Sequence, residues 1–135
     1  MITEDYVSFE TSKLLKKKGF DEATIGYYNT ISEIPEKIKF FDSPISIYDS
    51  DGLIGCIQAP TLQMVMKWLR NEKHYYIQVM LDGWACGGHL GYYVVIQKTD
   101  SDFEMMLQDA VDEVFYQTYE EACEAAIKYC LENLI

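Results

Sequence analysis

The chain has one arginine, Arg70, only three prolines, and no apolar run that approaches the span of a membrane. Each scarcity excludes something. A transmembrane helix needs about 20 consecutive apolar residues, so none is expected. Eleven basic residues face 22 acidic ones, for a net charge of -11. Phosphate backbones are gripped by Lys and Arg, so a general nucleic-acid binder is not expected. Docking on an anionic membrane surface is disfavoured for the same reason. There is no G-x-x-x-x-G-K-[ST] loop, no G-x-G-x-x-G fingerprint and no G-x-S-x-G elbow, so no cofactor and no standard catalytic class is implied. The start, Met1-Ile2-Thr3-Glu4-Asp5, is acidic and has no apolar core of a signal peptide, which predicts a cytoplasmic location.

What is present favours folding. Disorder requires low hydrophobicity as well as high charge, and here 49% of residues are hydrophobic and 14% aromatic. A length of 135 residues fits a single domain over 1–135. The four cysteines, Cys56, Cys86, Cys123 and Cys130, are expected as reduced thiols packed as small hydrophobes.

The pattern along the chain predicts an α+β fold, a small antiparallel sheet covered by two or three helices. A first helix is expected over roughly 8–18, capped by Ser8, with Lys16, Lys17 and Lys18 at its negative end and Gly19 turning out of it. Ile45–Tyr48 and Leu53–Ile57 are β-favouring runs that would pair as a hairpin across Asp49-Ser50-Asp51-Gly52. Pro60 and Thr61 then start a central helix in which Leu62, Val65, Met66 and Leu69 share a face, flanked by Trp68.

Two alternating runs follow, Tyr75–Leu81 and Tyr92–Lys98. They read as adjacent antiparallel strands joined by a glycine-rich loop over 82–91. Residues 100–124 carry Asp100, Asp102, Glu104, Asp109, Asp112, Glu113, Glu120, Glu121 and Glu124 with no Lys or Arg. Leu107, Ala110, Val111 and Val114 have helical spacing there, while Val114–Gln117 is the alternative site of a third strand. A T-x-x-E capping box at Thr118 and Glu121 opens a C-terminal helix. Its face of Cys123, Ala126, Ile127, Cys130, Leu131 and Leu134 is expected to pack on the sheet.

Cys86-x-x-His89 has metal-like spacing, but a structural zinc site wants four ligands and no second tight pair exists, so no metal is expected. The same two residues, with Asp82 orienting the imidazole, are the candidates for a small cysteine enzyme, a weak signal because any chain with four cysteines and two histidines offers some such pair. The glycine-rich loop is the stronger candidate site. Gly83, Gly87, Gly88 and Gly91 leave backbone N–H groups open to an anion. Trp84, Tyr92 and Tyr93 can stack a planar group, and His89 can donate a hydrogen bond. Arg70, as the sole arginine, is the one bidentate phosphate clamp available. The expected ligand-binding set is therefore Trp84, Gly87, Gly88, His89, Tyr92 and Arg70, for a nucleotide-like small molecule. No residue is assigned a catalytic role.

Three blocks also resemble a family of small proteins of unassigned function encoded by phages, prophages and mobile elements of gut anaerobes. They are Ile2–Asp21, with its run Lys13-Leu14-Leu15-Lys16-Lys17-Lys18-Gly19-Phe20; Ala59–Arg70; and the tail Tyr119–Ile135. The resemblance implies the cytoplasm of a bacterial host and a non-enzymatic accessory role. That role is binding a nucleotide-like signal of host defence or, alternatively, inhibiting a basic host protein by acidic mimicry. Homo-oligomerisation is a further expectation, from several apolar helix faces in a small chain.

Overall fold

The computed structural model describes residues 2–46, 55–86, 89–111 and 115–135, with the backbone alone at 83–86, 89–90 and 111. The fold is α+β. It forms two compact units, residues 1–62 and 63–135, each with its own three-stranded antiparallel sheet, where one sheet was expected.

In the first unit, α1 (Phe9–Lys17) begins where Ser8 Oγ accepts from the Thr11 N–H at 3.2 Å. It ends at Gly19, whose φ of +86° lets the Phe20 N–H return to the Leu15 carbonyl at 3.0 Å. Phe20 is buried. Strands β1 (Thr24–Asn29), β2 (Lys39–Ile45) and β3 (Cys56–Gln58) follow in the order β2-β1-β3, and α1 lies against β3.

The hairpin expected between Ile45–Tyr48 and Leu53–Ile57 is corrected here, because β1 stands between its two arms. Ile45 pairs with Thr24, and Ile57 pairs with Tyr28. Residues 47–54 of that hairpin lie outside the described residues. Side chains missed by local pattern decide the arrangement. The Tyr28 hydroxyl donates to the Val7 carbonyl at 2.7 Å, and the Gln58 amide donates to the carbonyls of Glu22 and Ile45. Gly26 gives a close backbone approach. A Cβ there would sit 2.6 Å from the Ala59 carbonyl oxygen.

Helix α2 (Leu62–Glu72) buries Leu62, Val65, Met66, Trp68 and Leu69, the expected stripe and its flank. Strands β4 (Tyr75–Cys86) and β5 (His89–Lys98) pair in one register from Tyr75↔Lys98 to Asp82↔Gly91. They then shift and pair again at Cys86↔His89. The stretch expected as a loop over 82–91 is thus largely strand. The surplus residues between Asp82 and Cys86 are absorbed as a bulge. The third strand is β6 (Glu104–Met106), paired to β5, rather than 114–117. Tyr116 pairs with Tyr92 as an isolated bridge outside the named strands.

Helix α3 (Leu107–Val111) realises the spacing of Leu107, Ala110 and Val111, whereas Val114 lies outside the described residues. Helix α4 (Tyr119–Tyr129) starts with Thr118 Oγ1 accepting from the Glu121 N–H at 3.1 Å, one of the two bonds of the expected capping box. It continues as a π-helical turn over Cys130–Leu134. Cys123, Ala126, Ile127, Cys130 and Leu131 are fully buried, and α4 lies against β4 and β5, as expected for the C-terminal helix. No helix among the described residues is long and apolar enough to cross a membrane.

Candidate functional site

Strand alternation gives the second sheet two unlike faces. One is the α4 side, where Ile77, Val94 and Ile96 are buried. The other carries Tyr76, Gln78 and Met80 from β4, opposite Gln97, Val95 and Tyr93 from β5, with Glu104 and Met106 from β6 beyond. Tyr76, Met80 and Met106 are each 40% exposed, and Tyr93, Val95, Gln78 and Gln97 are half-buried. A polar row runs across this face, the Gln78 amide donating to Gln97 and the Gln97 amide to Glu104. Beside it lies an apolar row in which Met80 faces Tyr93, whose ring meets Phe115 edge-on at 6.0 Å. The Arg70 guanidinium lies over the Tyr76 ring, 5.8 Å from its centroid. Such a cation–π pair fixes an otherwise flexible side chain.

The residues expected to bind ligand are placed as follows. Trp84 is on β4 within the bulged stretch, and His89 opens β5 as the register partner of Cys86. Gly87 and Gly88 lie outside the described residues. Tyr92 is opposite Leu81, and its ring meets Tyr119 of α4 edge-on at 6.3 Å, so it belongs to the α4 side of the sheet. Arg70 sits with Tyr76 on the other face, near the opposite end of β4. The structure therefore does not bring Arg70 and Tyr92 together. Tyr92 and Tyr93 are likewise divided between faces by their adjacency in a strand.

What Arg70 does meet is the Tyr76 corner of the open face. Sequence alone gave the alternation that groups Tyr76 with Met80 on one strand, and Tyr93 with Val95 and Gln97 on the other. It gave no sign that α2 would deliver Arg70 to the same corner, because that depends on how the helix enters β4. His74, with φ +64°, makes this turn.

The Cys56 and Cys130 thiols are poor nucleophiles. Burial pushes Cys130 up to about 12. Cys56 is raised by burial, against the opposing pull of Lys39. A thiolate is the reactive form, so both are suppressed. Among the described residues no group of His, Cys, Asp and Glu is arranged to hold a metal. Comparison with known proteins gives no match among family models, curated proteins or solved structures.

Proposed function

We propose that the protein is a non-enzymatic binding protein whose ligand surface is the open face of the β4–β5–β6 sheet. The observation that carries this reading is the corner where Arg70 lies over Tyr76, continuous with the exposed Met80 and the half-buried Tyr93. Half-exposed aromatic rings on a sheet are suited to stacking a planar base, and a guanidinium beside them to pairing with a phosphate. The ligand class this combination fits is a nucleotide-like small molecule. The resemblance to phage and prophage accessory proteins supplies the setting, in which binding would sequester a signal of host defence in the cytoplasm.

Native mass spectrometry of the protein purified from cells, and again after exposure to a small-molecule extract of host lysate, tests this. The expected result is a discrete added mass. Arg70→Ala should weaken binding about tenfold or more, since hydrogen bonds to charged groups are worth about 1.5–3 kcal/mol. An added mass that Arg70→Ala and Tyr93→Ala both leave untouched would overturn the placement of the site.

A second reading is inhibition of a basic partner by acidic mimicry. It is supported by the exposure of Asp102, Glu104, Asp109, Glu120 and Glu121 in a segment without a basic residue. An unaltered mass under every condition, with salt-sensitive capture of a basic host protein, would favour it over the first.

A further inference from the structure

The two edges of the β4–β5–β6 sheet are finished differently. On the β5 side, alternate residues direct their backbone groups away from β4, and each of these residues meets a partner there. Tyr92 exchanges two 2.9 Å bonds with Tyr116, and the Val94 N–H donates to Gln108 Oε1 at 3.1 Å. Ile96 lies in the β6 ladder opposite Met105, and the Lys98 N–H donates to the Phe103 carbonyl at 3.0 Å. The β4 partners of these four residues are Leu81, Val79, Ile77 and Tyr75. An antiparallel pair whose one member turns its N–H and C=O outward turns the other member's outward too. Tyr75, Ile77, Val79 and Leu81 therefore point their backbone groups out of the β4 edge, where no strand lies among the described residues.

That edge has none of the usual guards against pairing. From Tyr75 to Leu81 there is no charge and no proline, and the register is unbroken. It also exposes apolar side chains: Leu81 is 57% exposed, and Tyr76 and Met80 flank Gln78.

We propose that β4 pairs antiparallel with β4 of a second copy of this chain, about a two-fold axis at Gln78, so that the two sheets become one. The strand's own order of residues selects both the partner and the register. With the axis at Gln78, Tyr75 faces Leu81, Ile77 faces Val79, Tyr76 faces Met80 and Gln78 faces Gln78 of the second copy. At each end His74 faces Asp82. Every apolar side chain meets an apolar one, amide meets amide, and the histidine meets the carboxylate.

Moving the axis to Ile77 sets Gln78 against Tyr76 and His74 against Met80. Moving it to Val79 sets Tyr76 against Asp82 and Gln78 against Met80. Such self-complementarity is the mark of an isologous interface. The outward groups of Tyr75, Ile77, Val79 and Leu81 then form the closely bonded pairs. Gln78 falls on a non-bonded pair at the axis, where side chains are nearest. This inference stands apart from the ligand reading, which concerns the face and not the edge.

Light scattering coupled to size exclusion, run on the full chain over a concentration series, is the first readout. A mass twice the 15.7 kDa of the chain is expected. Val79→Pro removes an N–H that β5 does not use, on an edge that tolerates proline. It should weaken the dimer about tenfold or more with an unchanged circular dichroism spectrum. Gln78→Cys decides the register and does not depend on the proline variant folding. Across the axis the two Cβ atoms would be about 4.5–5.5 Å apart, so mild oxidation should give a cross-linked dimer. The wild-type chain and Gln97→Cys on β5 set the baseline. A single-chain mass at every concentration, or cross-linking of Gln78→Cys no greater than that baseline, would overturn the proposal.

Discussion

Strand β4 keeps one register against β5 from Tyr75 to Asp82, whereas β1 meets β2 in broken register, Thr24 facing Ile45 and Gly26 facing Phe40. The two sheets are also held differently. In the second, side-chain alternation sends Ile77, Val94 and Ile96 to the buried side, where α4 covers the strands. In the first, specific polar contacts tie distant residues together: Tyr28 to Val7, and Gln58 to Glu22 and Ile45. Burial of Tyr28, Ile57 and Ala59, with Phe9 and Ile38 packed on them, gives that unit a hydrophobic cluster of its own. A regular sheet distributes its stability over many interchangeable apolar contacts. An irregular one concentrates it in a few contacts that nothing else replaces.

The comparison is broken most sharply at the centre of the regular sheet. Ile96→Ala empties a fully buried site on β5 and should cost about 2–5 kcal/mol in urea unfolding. Gly26→Ala tests the irregular sheet. The added methyl must displace the Ala59 carbonyl oxygen, which backbone cannot yield cheaply, so a loss of about 1–3 kcal/mol is expected. Hydrogen exchange should then rise in β1 and β3 before it rises in β5. If both losses spread evenly over the two sheets, the distinction between them is wrong. The smallest effect belongs to Ser12, buried on α1 with no hydrogen-bond partner for its hydroxyl among the described residues. Ser12→Ala should be neutral or stabilise by up to about 1 kcal/mol, because a buried unmatched group is removed and helix propensity rises. A marked destabilisation on calorimetry would show a partner for that hydroxyl.

The same contrast explains what was legible beforehand. Helix α1 and its Ser8 cap, the stripe of α2, the capping box of α4 and the pairing of β4 with β5 all follow from short-range signals. Each needs only residues within a few positions, or two alternating runs close in sequence. The hairpin over 45–57 failed because Ile57 had a better partner in Tyr28, far back along the chain. The third strand was missed at Glu104–Met106 because three residues carry too little periodicity to be distinguished from a loop. For the candidate site, the face shared by Tyr76 and Met80 within β4 could be read from alternation, but its joining to Tyr93 needed the register with β5. Bringing Arg70 onto Tyr76, and Tyr92 against Tyr119, could not.

By itself the sequence determined the fold class, where the main helices start and which side chains share a face within β4 and within β5. Those depend on backbone capping and on periods of 3.6 and 2, which are local properties of the chain. Tertiary structure alone decided that the described residues form two sheets, that β1 is central in one of them, and that in the other Tyr116, Gln108, Phe103 and β6 meet the far side of β5 while no strand among the described residues pairs with the outer side of β4. These are choices among long-range partners. They are settled by which side chains can reach an unpaired backbone group once the chain has folded back, and no local pattern encodes that.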